Sequence, residues 1–216
     1  MPEYVEELDD DSRLAMRQAA GYLQSEFKGV FNKETIELFL ESSFDEFATR
    51  TCAKWIQVAF AERFAKQRLK ALARVEAPSK DQPPAVLFLC VHNAGRSQMA
   101  IGWFSKLAGD RAIAWSGGSE PGVGVNPAAI AAMAEVGIDI SQEFPKPWTE
   151  EFVQAADVVV TMGCGDACPI FPGKRYEDWV LEDPAGMSVA AIRPVRDEIG
   201  VRIEDLLQRL GVLTGA

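Results

Sequence analysis

At 216 residues, with 48% hydrophobic side chains and a net charge of −10, the chain can build one large domain or two small ones around a real core. Its 32 acidic against 22 basic residues exclude nucleic acid and anionic membranes as natural partners, because phosphate surfaces demand basic ones. No apolar stretch reaches membrane-spanning length and residues 2–11 are acidic where a secretory leader is basic, so a soluble cytoplasmic protein with no membrane partner is expected.

Residues 1–78 read as a three-helix bundle. The spacing predicts a first helix over 12–27, stopped by Gly29, and a second behind Asn32, with Ile36, Phe39, Leu40, Phe44 and Phe47 on one face. A third is predicted over 53–75. Its stripe of Trp55, Ile56, Val58, Ala59, Phe60, Phe64, Leu69 and Leu72 is wider than so small a bundle needs, and serves equally as an internal core or as the seam of a homodimer. Cys52, at a helix junction, is read as structural.

The segment APSKDQPPA (77–85) breaks the pattern with three prolines, and residues 79–84 are assigned as a short, stiff linker. Charge shifts across it. Residues 1–80 hold 12 Lys+Arg against 14 Asp+Glu, a net −2; the remainder holds 10 against 18, a net −8.

From residue 85 to 216 strand-like and helix-like segments alternate. Strands are predicted over 86–91, 112–116, 158–162 and 176–181. Helices are predicted over 97–107, 127–136 (capped by Asn126, with Pro127 first), 150–155 and 194–210. Such alternation implies an α/β domain, a parallel sheet with helices on both faces, whose ligands bind beyond the C-terminal ends of the strands.

Three strand ends carry chemistry. The first runs into Cys90-Val91-His92-Asn93-Ala94-Gly95-Arg96-Ser97, a Cys-x5-Arg loop opening a helix. Gly95 and Asn93 permit the backbone angles by which successive N–H groups of Val91, His92, Asn93, Ala94 and Gly95 can point inward, and with Arg96 and the helix end they form a cradle for a tetrahedral oxyanion. The same field favours the Cys90 thiolate, and Ser97 can donate a hydrogen bond to it. His92, the single histidine, is read as shaping the loop and not as a base.

LEDPAG (181–186) follows the last strand. Asp183, fixed by Pro184, is the candidate general acid, with Glu182 the competing carboxylate. TMGCGDACP (161–169) puts Cys164 and Cys168 at the rim of another strand. They can close a disulfide and pass it on by exchange with Cys90. Zinc held by these two with Cys90 or His92 is the weaker alternative: no fourth ligand is evident, and no metal is expected.

Residues 85–210 resemble arsenate reductases of the low-molecular-weight tyrosine phosphatase fold, on Cys90 to Met99, Ser116-Gly117, Gly124-Val125-Asn126-Pro127, the 157–161 segment, Cys168-Pro169, Trp179 and Asp183-Pro184-Ala185-Gly186. The resemblance implies that the Cys90 thiolate attacks arsenate, Arg96 clamps its oxygens, Ser97 supports the thiolate, Asp183 is the acid, and Cys164 and Cys168 relay the disulfide. It also implies no bound cofactor but an external thiol reductant, thioredoxin in preference to mycothiol with mycoredoxin. The first 75 or so residues resemble the helical dimerisation unit ahead of some actinobacterial members. Ile101 stands where some members carry a carboxylate of an alkali-cation site, and that cation is not expected. Ala185-Gly186 replaces the aromatics that flank a phosphotyrosine ring. The alternatives are a mycothiol-dependent reductase, a phosphatase of the same fold, and a non-catalytic arsenic- or redox-sensing dimer.

Overall fold

The computed structural model describes residues 9–48, 54–163 and 170–213. It divides into two compact units, Met1–Ala77 and Pro78–Ala216.

The first unit holds three helices, α1 (Asp10–Glu26), α2 (Lys33–Asp45) and α3 (Lys54–Glu76). Asp9 starts α1, two residues before the predicted start, by accepting from the Ser12 N–H at 2.7 Å; Asn32 starts α2 by accepting from Thr35 N–H at 2.8 Å. Leu23, Ile36, Leu40, Phe44, Phe47, Val58, Phe64 and Leu69 are buried between them, with Phe47 edge-on to Phe64. The α3 stripe divides: Val58, Phe64 and Leu69 fill the core, whereas Trp55 is 70% exposed.

The second unit contains β1 (Ala85–Cys90), α4 (Arg96–Ala108), β2 (Ile113–Gly118), α5 (Pro127–Glu135), α6 (Glu150–Ala155), β3 (Val158–Thr161), β4 (Arg175–Asp178) and α7 (Val189–Arg209). As the alternation implies, all strand pairs are parallel, in the order β2-β1-β3-β4. Val86, Phe88 and Cys90 point to one face, into a cluster with Met99 and Phe104 of α4, Met133 of α5 and Ile192, Ile199 and Ile203 of α7. The other face is covered by α6, whose Phe152 stacks on Trp115 of β2. Strand β1 is buried at every position because both faces are covered. The next two strands in the chain, β2 and β3, lie on opposite sides of β1, so strand order reverses at the end of β1, where Cys90 stands.

Two predicted boundaries move by three residues or more. Strand β4 stops at Asp178, since its partner β3 ends at Thr161, and Trp179 turns inward against Phe88 at 6.0 Å between ring centroids. Helix α7 starts at Val189 and carries Pro194 inside it. Ser188 caps it by accepting from Ala191 N–H, and a proline this close to the N-terminus removes only one helical hydrogen bond.

Helix α5 is tied to α7 by Glu135, which accepts from Arg193 at 2.6 Å and from Arg196 at 3.0 Å. Hydrogen bonds from Arg193 lead the causes that hold its carboxyl down at about 2. The folded-state value lies below the unfolded one, so the stabilisation is present above the ordinary carboxylate range and is lost as pH falls from about 4.5 towards 2. The gap in melting temperature between wild type and Glu135→Gln is expected to close over that window; a gap independent of pH would contradict the assignment.

Candidate active site

The loop between β1 and α4 turns through five residues. Asn93 takes the left-handed conformation (φ 45°), which asparagine tolerates better than most residues. The carbonyls of the loop are all engaged away from the pocket. Val91 O accepts from Glu120 N–H, His92 O from Gly122 N–H and Ala94 O from Asn126 N–H, at 2.8–2.9 Å; Asn93 O accepts from Gln98 Nε2 at 2.9 Å. A trans peptide sets its N–H opposite its C=O, so the N–H groups of His92, Asn93, Ala94 and Gly95 are turned to the other side. Among the described residues those four amides donate to no other backbone group. Four donors are thus gathered at the start of α4, where the helix end adds positive potential.

Cys90 Sγ, 2% exposed, lies 3.0 Å from Ser97 Oγ. That hydroxyl also accepts from Asn93 Nδ2 at 2.8 Å, which leaves its own proton for the sulfur. Arg96 is buried on the first turn of α4, and its Nη2 meets Asp183 Oδ2 at 3.2 Å. Asp183 Oδ1 accepts from the Ala185 N–H at 3.1 Å, so a short turn holds the carboxylate. Cys90, His92, Ala94, Gly95, Arg96, Asn126, Asp183, Pro184 and Ala185 line one pocket, whose wall contains Asp183 and not Glu182. His92 Nδ1 lies 3.0 Å from Glu120 O.

Among the glycines required by close approach, two join the loop and Arg96 to their neighbours. A Cβ on Gly95 would stand 2.6 Å from Pro184 Cγ, and one on Gly163 (φ +76°) 2.7 Å from Arg96 Nη1. The acid turn and the end of β3 therefore pack directly on the oxyanion loop. Gly163 is the last described residue before Cys164; Cys164, Cys168 and Cys52 lie outside the described residues. Among the described residues no group of three or more His, Cys, Asp or Glu side chains could hold a metal.

Two contributors were not singled out in the sequence, and a third has a role beyond the one read there. Asn126, read there as a helix cap, also donates from Nδ2 to Pro184 O at 3.0 Å and so staples the acid turn to the loop. Gln98 is buried behind the loop and donates to Asn93 and to Phe144 O. Lys146 is buried completely. Its only sequence signal is a lone lysine in the apolar run FPKPW.

A parallel sheet with a Cys-x5-Arg loop at its switch point and an aspartate on the facing turn defines an α/β domain of the phosphatase-like class. Residues 85–212 match the low molecular weight phosphotyrosine protein phosphatase family, more than half of the chain, and the chain belongs to that family. Residues 16–73 match the protein-tyrosine-phosphatase-like N-terminal domain. Among curated relatives, arsenate reductase 2 of Staphylococcus epidermidis is 44% identical over 128 residues, covering 57% of this chain and 96% of its own length. The arsenate reductase of Halalkalibacterium halodurans is 45% identical over 129 residues, with 55% and 91% coverage. A solved thioredoxin-dependent arsenate reductase of Corynebacterium glutamicum matches both units, with a TM-score of 0.80, 38% identity and coverage of 91% of this chain and 96% of its own. A tyrosine phosphatase of Erwinia amylovora, at 18% identity and a TM-score of 0.53, shares the fold alone.

Proposed function

We propose that the protein reduces arsenate to arsenite with electrons from thioredoxin. The observation that carries the chemistry is Cys90 Sγ at 3.0 Å from Ser97 Oγ, within one pocket with Arg96 and Asp183. The choice of arsenate over a phosphoester is supported by the Corynebacterium enzyme's likeness over both units and by two cysteines that follow Gly163, a residue in contact with Arg96.

The loop amides of residues 92–95 and Arg96 hold the oxyanion, and the Cys90 thiolate attacks arsenic. Asp183 gives a proton to the departing oxygen, which leaves as water, and a sulfur–arsenic bond remains. The Cys164 thiolate then attacks the Cys90 sulfur. The sulfur–arsenic bond breaks with its electron pair left on arsenic, so As(V) becomes As(III), arsenite departs and a Cys90–Cys164 disulfide remains. Cys168 attacks Cys164, frees the Cys90 thiolate and leaves a Cys164–Cys168 disulfide for the thioredoxin dithiol to reduce. Dependence on that dithiol fits a reducing, cytoplasmic setting; among the described residues no helix is long and apolar enough to cross a membrane.

The test is arsenate turnover with a thioredoxin system. Cys164→Ser is expected to stop multiple turnover while leaving the first adduct able to form, and Cys168→Ser to trap a Cys90–Cys164 disulfide detectable by mass. Turnover by Cys168→Ser with mycothiol and mycoredoxin but not thioredoxin would move the electron source to the small thiol. Hydrolysis of p-nitrophenyl phosphate at the wild-type rate in both variants, without arsenate turnover in the parent, would make the protein a phosphatase. Tight arsenical binding with no turnover under any reductant would make it a sensor.

We further propose that two chains pair through the helical unit, supported by the exposed Leu14, Tyr22, Leu38 and Trp55. A single-chain mass by light scattering at micromolar concentration would remove that proposal.

A further inference from the structure

We infer that the His92 imidazole is a positioning residue for the bound oxyanion: by donating from Nδ1 to Glu120 O it latches residues 119–126 onto the Cys-x5-Arg loop and keeps the cradle amides aimed at the anion. The inference rests on the reading of residues 90–97 as an oxyanion site.

Residues 119–126, Ser-Glu-Pro-Gly-Val-Gly-Val-Asn, form neither helix nor strand, and Glu120, Val123 and Gly124 are exposed. The backbone N–H groups that this stretch donates, from Glu120, Gly122 and Asn126, all end on carbonyls of the oxyanion loop, those of Val91, His92 and Ala94, at 2.9, 2.9 and 2.8 Å. These bonds hold the loop as much as they hold the stretch. An N–H stands opposite the C=O across a trans peptide, so the bond from Glu120 to Val91 O turns the His92 N–H into the cradle, and the bond from Gly122 to His92 O turns in that of Asn93. Two of the cradle amides therefore depend on where residues 120 and 122 sit.

The His92 side chain closes the circle. Its Nδ1 lies 3.0 Å from Glu120 O, and a carbonyl oxygen only accepts, so Nδ1 carries the proton in this contact. Pro121 restricts Glu120 to extended backbone, which presents that carbonyl in one direction. Glu120 is thus gripped twice, its N–H on Val91 and its O by the imidazole, and the grip sets the direction of the His92 N–H itself. The far end of the stretch is held separately by Asn126, whose Nδ2 donates to Pro184 O at 3.0 Å. An exposed hydrogen bond of this kind contributes little to overall stability; what it supplies is orientation.

The first test uses the full-length wild-type protein. The chain has a single histidine, so nitrogen resonances of the imidazole in isotope-labelled protein at about pH 8 report this residue alone. The tautomer protonated at Nδ1 is expected; protonation at Nε2 with a bare Nδ1 would overturn the inference. The second test measures phosphate affinity, by protection of Cys90 from iodoacetamide located by peptide mass, in wild type, His92→Phe and His92→Asn. Phenylalanine keeps a ring without a donor and is expected to bind phosphate about fivefold more weakly. Asparagine places Nδ2 at the same distance from the backbone as Nδ1 and is expected to rescue affinity to within about twofold of wild type. A ring needed for its volume would give the reverse order, and one needed for its charge would leave both variants weak; either result overturns the inference, as does His92→Phe within about twofold of wild type. If His92→Phe fails to fold by melting temperature and near-ultraviolet dichroism, His92→Ala takes its place under the same limits. Wild-type Cys90 that phosphate does not protect would instead remove the oxyanion reading, and this inference with it.

Discussion

Cys90→Ser is expected to lose arsenate turnover by at least about 10⁵-fold while the pocket still binds phosphate. The two halves of that result come from different atoms. In the proposed mechanism binding is the work of the loop amides and Arg96; the amides are set by the outward-bonded carbonyls of residues 91–94, which the substitution does not touch. Turnover needs a group that both attacks arsenic and later gives up electrons. A serine hydroxyl at this position is un-ionised at neutral pH, attacks poorly, and forms no disulfide, so arsenic would have no route to the trivalent state. In the proposed mechanism the attacking sulfur is a thiolate, so its replacement by a neutral hydroxyl also removes repulsion against the bound oxyanion, and phosphate affinity should be equal or somewhat higher. Retained turnover above a thousandth of wild type would mean that another thiol is the nucleophile; loss of phosphate binding with turnover would mean that the sulfur holds the loop in shape.

The parts of this site that were legible in the sequence are those built from neighbouring residues. Cys90, Arg96 and Ser97 declare themselves because a strand, a five-residue loop and a helix start are local events. Asp183 was found through the proline that restricts it, and the structure puts its carboxylate across from Arg96. What stayed hidden is what the chain brings from a distance. The carbonyls of residues 91, 92 and 94 are held by the amides of 120, 122 and 126, and Asn93 by Lys146, some 53 residues away. Backbone pairings of this kind leave no mark on side-chain identity, and so no pattern to read. Asn126 shows the same limit from another side: its helix-capping role was plain, whereas its second bond, to Pro184 O, depends on which loop folds over it. Proline was misleading at α7, where position 194 reads as a helix start and lies inside the helix because Ser188 already supplies the cap.

The charge balance follows the same division between local and global. The second unit contributes most of the net negative charge, yet the proposed substrate is an anion. Long-range repulsion is weakened beyond a Debye length of about 8 Å at physiological ionic strength, so a few groups at contact distance outweigh many remote carboxylates. The site concentrates those groups: four amides, a helix end and one guanidinium stand around a single pocket.

Arg96→Lys should therefore be far from conservative, with kcat/KM for arsenate down about 10³-fold, equivalent to about 4 kcal/mol. The guanidinium is planar and buried, with Nη2 on Asp183 and Nη1 against Gly163, so its orientation is determined from two sides. A fork held in this way can present two parallel N–H donors to two oxygens of a tetrahedral anion; an ammonium offers a point charge on a more flexible stem, and is more strongly hydrated. The substitution keeps the net charge, so a mere attraction at long range would survive it. Loss of geometry also predicts where the damage falls. Phosphate affinity should drop about tenfold, and the larger share of the deficit should appear in kcat, because the two donors are aimed at the oxygens that gain charge as sulfur attacks. A variant within tenfold of wild type in kcat/KM would show that charge alone suffices and that the amides carry the transition state without the guanidinium fork.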